Sequence, residues 1–314
     1  MASKDGYKTK EDKANAANWP DNSKGSPTPH APAENPPAAT SNRSQQVAPP
    51  AAGERVVFIG NGFAERDTYY GRLETELQLR FPQQGLIVRN MGRSGDTPAF
   101  RPHPARASQW AFPGAEKFHP EYAQHNGKGF FSTPDQWLYH LKADTIVAFF
   151  GYNESFDGPE GLAKFKSDLD AFLRDTRAKN YGTRGAPHIV LFSPIANENH
   201  PDKNFVIPPE NNKNLALYAQ AMAEVAGDRA GVTFVDLYNP SQKLYAEAAK
   251  AGQPLTINGV HLNRTGDAAF APVMFQTLFG EPAPTGDFSK LQALVNAKNE
   301  EWHNRYRTVD GYNV

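Results

Sequence analysis

The chain of 314 residues contains no cysteine. That absence excludes disulfides, thiolate catalysis and cysteine-ligated zinc together, and leaves the redox compartment open. Charge of one sign is equally lacking: 33 Lys and Arg face 34 Asp and Glu, for a formal net charge of −1. No long-range field would draw in nucleic acid or an anionic membrane surface, so neither is expected as a partner. No apolar run approaches the roughly 18 residues of a membrane span, and residues 1–20 hold no apolar core of a signal peptide. Large aliphatic side chains are missing from residues 1–52, with Val47 the lone exception. A Pro/Ala-rich stretch of this kind cannot bury enough apolar surface to offset chain entropy, so a disordered leader is expected. Lys4, Lys8, Lys10 and Lys13 alternate with acids and read as solvation. Leaders of this composition often follow a removed export signal or anchor. An exported, periplasmic location is the resulting expectation.

Order begins at Glu54. Arg55–Gly60 is a β-branched apolar run closed by glycine, and reads as a buried parallel strand. Further strands are expected at Leu86–Asn90, Thr145–Gly151, His188–Phe192 and Val232–Leu237. Apolar residues at helical spacing predict helices over Asp67–Phe81, Gly161–Lys179, Asn214–Ala226, Gln242–Ala251 and Asp267–Phe279, with a shorter one starting at Trp137. Strands that alternate with helices predict one five-stranded parallel sheet covered on both faces, an α/β/α sandwich. The expected organisation is a leader over residues 1–52, a domain over residues 53–281, and a helical appendix over residues 282–314 that either packs on the domain or leads into further sequence. Residues 98–136 are rich in Pro, His, Gly and aromatics without a steady period, and read as an insert or lid.

Ligands of an open parallel sheet sit beyond the carboxyl ends of its strands. Gly60-Asn61-Gly62-Phe63-Ala64-Glu65-Arg66 follows the first strand, and Asn90-Met91-Gly92-Arg93-Ser94-Gly95-Asp96-Thr97 the second. Gly151-Tyr152-Asn153-Glu154 follows the third, and Asn258-Gly259-Val260-His261-Leu262-Asn263 opens the last main helix. Each piece alone has a plain explanation, as turn glycine, Asx cap or packing histidine. Their order and spacing together point to one site.

That order resembles the SGNH, or GDSL-type, hydrolase superfamily, with blocks Gly-Asp-Ser, Asn-x-x-x-Ser-Gly-Asp-Thr, Gly-x-Asn-Asp and Asp-x-x-His. The resemblance covers about residues 54–280. In its Gly-Asn turn, its Phe-Gly-Tyr-Asn-Glu-Ser block and its Asn-Gly-x-His-Leu block the chain also resembles a subgroup at the front of large exported bacterial proteins that carry haem-binding modules further on. The resemblance implies a flavodoxin-like α/β/α fold and ester hydrolysis. His261 would be the base, with Gly95 and Asn153 as oxyanion donors. Two positions depart from the pattern. Asn258 stands where an aspartate orients the histidine, and Gly62, preceded by Asn61, stands where the serine nucleophile belongs.

The expected function is therefore an SGNH-type ester hydrolase acting on acylated carbohydrate. The alternatives are a catalytically inactive glycan-binding module, direct attack by water, a nucleophile moved to Ser94 or Ser155, and carboxylate chemistry through Glu65 and Glu154. Arg66, beside Glu65, and Trp110 in the insert are further candidate substrate contacts. Other insert aromatics (Phe112, Phe118, Tyr122, Phe130, Phe131 and Trp137) could stack on sugar rings, with Arg101, His103, His119 and His125 as polar contacts. The histidines lack metal-ligand spacing, so no metal and no cofactor are expected.

Overall fold

The computed structural model describes residues 46–102, 106–117, 119–120, 131–202 and 211–307. The leader up to residue 45 lies outside them, as do His103, Phe118, Tyr122, His125 and Phe130 of the insert.

In chain order the elements are β1 (Arg55–Gly60), α1 (Gly62–Tyr70), α2 (Arg72–Arg80), β2 (Ile87–Asn90), α3 (Pro134–Leu141), β3 (Thr145–Phe149) and α4 (Leu162–Arg177). Then follow β4 (His188–Phe192), α5 (Asn211–Ala226), β5 (Val232–Val235), α6 (Tyr238–Ala251), α7 (Arg264–Phe279) and α8 (Ser289–Arg307). All five strands are parallel, in the order β2-β1-β3-β4-β5. This is the doubly wound arrangement expected from the alternating pattern.

Successive strand residues point to opposite faces, and the apolar runs are long enough to fill both. Val57, Ile59, Ile146, Ala148, Ile189 and Leu191 share one core with Phe165, Leu169 and Phe172 of α4 and with Trp302 of α8. Val56, Phe58, Val147, Phe149, Val190 and Phe192 share the other with Phe270 and Phe275 of α7.

The helix expected over Asp67–Phe81 is two helices. Its apolar spacing runs on across Gly71, but Gly71 adopts the left-handed conformation (φ 60°) and ends α1, donating its N–H to Asp67. A Cβ there would stand 2.7 Å from Val295 Cγ1 and 2.8 Å from Asn296 Oδ1, so the glycine also admits α8. The first helix starts five residues earlier than expected, at Gly62, because Asn61 Oδ1 accepts the Phe63 N–H and caps it.

The appendix packs on the domain. Lys298 Nζ contacts Glu74 Oε2 at 2.6 Å, and Trp302 Nε1 donates to the Asn90 carbonyl at 2.6 Å, so α8 covers the edge strand β2. Tyr306 receives a hydrogen bond from Arg106 of the insert at 2.6 Å, meets Trp137 edge-on and stacks on Trp302. Trp110, Ala111 and Phe112 are buried in the first core, so the described part of the insert is packed rather than open. Among the described residues no helix is long and apolar enough to cross a membrane.

Candidate active site

The carboxyl ends of β1, β2, β3 and β4 and the loop before α7 surround a cleft of about 190 Å³. Its lining includes Asn61, Gly62, Arg66, Ser94, Asn153 and His261, six of the residues singled out in the sequence, together with Phe63, Tyr152, Ser193, Ile195 and Leu262.

A Cβ built on Gly62 would lie 3.3 Å from His261 Nε2 and 3.1 Å from Ser94 Oγ. The glycine therefore occupies the place from which a serine side chain would meet the histidine. Gly62 is also the first residue of α1, where backbone N–H groups have no intrahelical acceptor. Among the described residues neither the Gly62 N–H nor the Gly95 N–H has a hydrogen-bond partner. Gly95 holds φ 91°, a conformation that L side chains rarely adopt, in the turn that follows β2. Asn153 spends one amide hydrogen on the Asp96 carbonyl at 3.0 Å, which fixes its Nδ2 and leaves the second hydrogen for another acceptor.

His261 is held by its own loop. Glu198 accepts the N–H groups of Leu255 and Thr256, each at 2.8 Å, and pins the start of that loop. Asn258 Oδ1 accepts the backbone N–H groups of Val260 at 3.2 Å and His261 at 2.9 Å, which sets the orientation of the amide. His261 Nδ1 then faces Asn258 Nδ2 at 3.0 Å and Oδ1 at 3.2 Å. An aspartate would only accept, and would force the proton onto Nδ1. The amide serves either tautomer: it donates to a bare Nδ1, or accepts from Nδ1–H. The tautomer lock is therefore lost while the ring position is kept. Burial, followed by the Arg66 charge, holds the His261 pKa below its ordinary value of 6.5, so the ring is neutral at neutral pH.

Arg66 donates from Nε to the Leu262 carbonyl at 2.9 Å and from Nη2 to the Tyr70 hydroxyl at 3.0 Å. It ties α1 to the histidine loop while lining the cleft. Glu65, one turn beyond Gly62, turns to the loop after β2. Its Oε2 accepts the Ser94 N–H at 2.7 Å and the Ser94 hydroxyl at 2.5 Å.

Gly95, Glu65 and Asn258 are not among the lining residues. Arg101 and His119 are buried, with His119 Nε2 2.7 Å from Asp168 Oδ2. Glu154, Trp110 and Ser155 also stand elsewhere. Glu154 does not line the cleft: its carboxyl is buried, accepts the Gly151 N–H at 2.9 Å, and is pushed up to about 8 by burial. It is not a cleft partner for Glu65. Trp110 lies in the core, 5.0 Å from the Phe100 ring, and does not line the cleft either. Ser155 is buried; its hydroxyl donates to the Tyr152 carbonyl and accepts from Asn211 Nδ2. The sequence reading also passed over Ser193, Pro194 and Ile195. They follow β4, and attention to every strand end would have included them.

The model of the GDSL-like lipase/acylhydrolase family matches residues 52–269. Among solved structures, the chain is similar to a catalytic mutant of an acetylxylan esterase from Geobacillus stearothermophilus, at 16% identity and TM-score 0.50, over 76% of this chain and 100% of that one. It is also similar to a gut microbial diltiazem-metabolizing enzyme, at 17% identity and TM-score 0.51, over 74% of this chain and 48% of that one. No curated protein sequence matches the chain.

Proposed function

The chain belongs to the GDSL-like lipase/acylhydrolase family, and from that premise we propose that it hydrolyses short-chain acyl esters of a carbohydrate, by way of the cleft around Gly62. One observation carries the reading. The position a serine side chain would fill at residue 62 is bracketed by His261 Nε2 and Ser94 Oγ, beside backbone donors that have no partner among the described residues.

An acyl carbonyl bound there would present its oxygen to the N–H groups of Gly62 and Gly95 and to the Asn153 amide. Those donors stabilise the charge that develops on attack. Apolar walls from Phe63, Ile195 and Leu262 in a cleft of about 190 Å³ suit a small acyl group better than a long chain. The acetylxylan esterase fold relative supports acetylated sugar as the first substrate class to test. Neutral His261 is able to accept a proton through Nε2 when Nδ1 carries the other one and donates to Asn258 Oδ1.

The 3.0 Å approach of Asn258 Nδ2 to His261 Nδ1 favours a second reading, a binding module in which His261 Nε2–H only donates to a ligand. A panel of p-nitrophenyl esters from acetate to octanoate separates the two. A hydrolase releases p-nitrophenol fastest from the shortest esters, and His261→Ala slows release by about 10²-fold or more. Saturable binding of an acetylated oligosaccharide without release of product from any ester would establish the binding module instead.

A further inference from the structure

We propose that Ser94 is the nucleophile of this cleft and Glu65 its base, a pair that replaces the serine missing from position 62; the proposal rests on the ester-hydrolase reading above. The first argument is spatial. Ser94 Oγ is 3.1 Å from the point where a residue-62 Cβ would stand, closer than ordinary van der Waals contact. A side chain at 62 and the present Ser94 rotamer compete for one volume, and glycine at 62 is what lets the Ser94 hydroxyl face the cleft it lines.

The second argument is chemical. The Ser94 hydroxyl donates to Glu65 Oε2 at 2.5 Å, and the same oxygen accepts the Ser94 N–H at 2.7 Å. The carboxylate thus fixes the serine backbone and takes the hydroxyl proton in a single arrangement. Glu65 reaches it because it lies three residues along α1 from Gly62, on the same side of the helix. The third argument is the neighbourhood. The Gly95 N–H, without a partner among the described residues, belongs to the residue after Ser94, and the Gly62 N–H, likewise unpartnered among them, adjoins the vacated volume. The nucleophile and one oxyanion donor therefore share one turn. By contrast, the Ser155 hydroxyl is buried and engaged. That of Ser193 already accepts two backbone N–H groups.

The reaction balances without any further component. Ser94 Oγ adds to the acyl carbon and its proton passes to Glu65 Oε2. The tetrahedral intermediate collapses, the ester C–O bond breaks, and the departing alkoxide takes the proton from Glu65. Water then adds to the acyl-serine, giving up a proton to His261 Nε2, which also borders the vacated volume. The acyl C–O bond to Ser94 breaks, the proton returns to Oγ, and one acid and one alcohol have formed from ester and water.

The test treats the full chain with a fluorophosphonate probe and maps the adduct by peptide mass spectrometry, alongside rates on p-nitrophenyl acetate. The expected adduct lies on Ser94. Ser94→Ala is unlabelled and at least about 10³-fold slower in hydrolysis, and Ser94→Gly, a second conservative truncation at this exposed site, behaves alike. Glu65→Gln labels about 10²-fold more slowly with unchanged thermal stability, which a purely structural clamp would not produce. His261→Ala still labels at Ser94 but fails to turn over. Hydrolysis that survives Ser94→Ala, or an adduct on another residue, overturns the proposal and leaves the ester-hydrolase reading in place. A labelled but non-hydrolysing wild-type protein supports the reactive serine and overturns that reading. Absence of both labelling and hydrolysis overturns the two together.

Discussion

Two serine–carboxylate pairs stand at the same end of the sheet, and both serines line the same cleft. Ser193, after β4, is buried; its hydroxyl lies 3.3 Å from Asp236 Oδ1 and accepts the N–H groups of Leu237 at 2.8 Å and Tyr238 at 3.0 Å. Ser94, after β2, is exposed, and among the described residues its hydroxyl meets the Glu65 carboxylate alone, at 2.5 Å. The residue types are nearly the same and the roles are opposite. A serine that satisfies the backbone of a strand end has no lone pair to spare for a substrate. A serine whose one partner is an acceptor has its lone pairs free. Reactivity at a strand end is therefore read from what the hydroxyl already serves, not from its presence in a cleft.

Truncations at this end of the sheet separate the two kinds of role. After the loss of hydrolysis expected of Ser94→Ala, the largest expected effect is also catalytic. Asn153→Ala removes the anchored amide and should lower kcat on short-chain esters by about 10²-fold, roughly 2.7 kcal/mol of transition-state stabilisation, with KM little changed. Steady-state kinetics check it, and an effect confined to KM would move Asn153 from oxyanion donor to ground-state contact. Next, Ser193→Ala deprives the buried Leu237 N–H of its acceptor and should cost about 1–3 kcal/mol of stability, measured by urea denaturation. A neutral result would erase the contrast from the structural side.

The third effect depends on pH. Glu154 is also a carboxylate at a strand end, but burial raises its pKa from 4.5 to about 8 in the folded protein. Because the folded value is the higher one, its protonated form favours folding fully below the unfolded value, and that contribution is lost as pH rises through about 8. Glu154→Gln stays neutral and can keep an acceptor for Gly151 N–H. Its Tm should therefore gain several °C on the wild-type protein as pH is raised from about 5 to about 8. A gap that shrinks over that range would contradict the assignment. The smallest effect sharpens the comparison most: Ser94→Ala, at an exposed site, should change stability by less than about 0.5 kcal/mol, against the larger loss at Ser193.

The sheet was legible because its strands are continuous β-branched runs that only a doubly covered parallel sheet can bury, and the alternation with helices sets the order. The break at Gly71 was hidden, since Tyr70, Leu73, Leu77 and Phe81 keep helical spacing across it, and only the approach of Val295 and Asn296 of α8 explains it. In the site, motif order brought Gly62, Gly95, Asn153, Asn258 and His261 to attention; Gly62, Asn153 and His261 line one cleft, Asn258 lies against His261 Nδ1, and Gly95 follows the cleft residue Ser94. Side-chain direction was not legible. Glu65 and Glu154 both follow strand ends in sequence, yet one turns to Ser94 and the other folds back on Gly151. Trp110 sits in an aromatic insert and points into the core. Which way such a side chain turns is decided by packing partners distant in the chain.

The most direct measurement is the initial rate of acetate release from acetylated xylo-oligosaccharides by the wild-type protein, followed against a protein-free control near neutral pH. Release that saturates with substrate and falls by about 10²-fold or more in His261→Ala is the expected result. Release no faster than the control, or equal in wild-type and His261→Ala, would contradict a working hydrolytic cleft around Gly62.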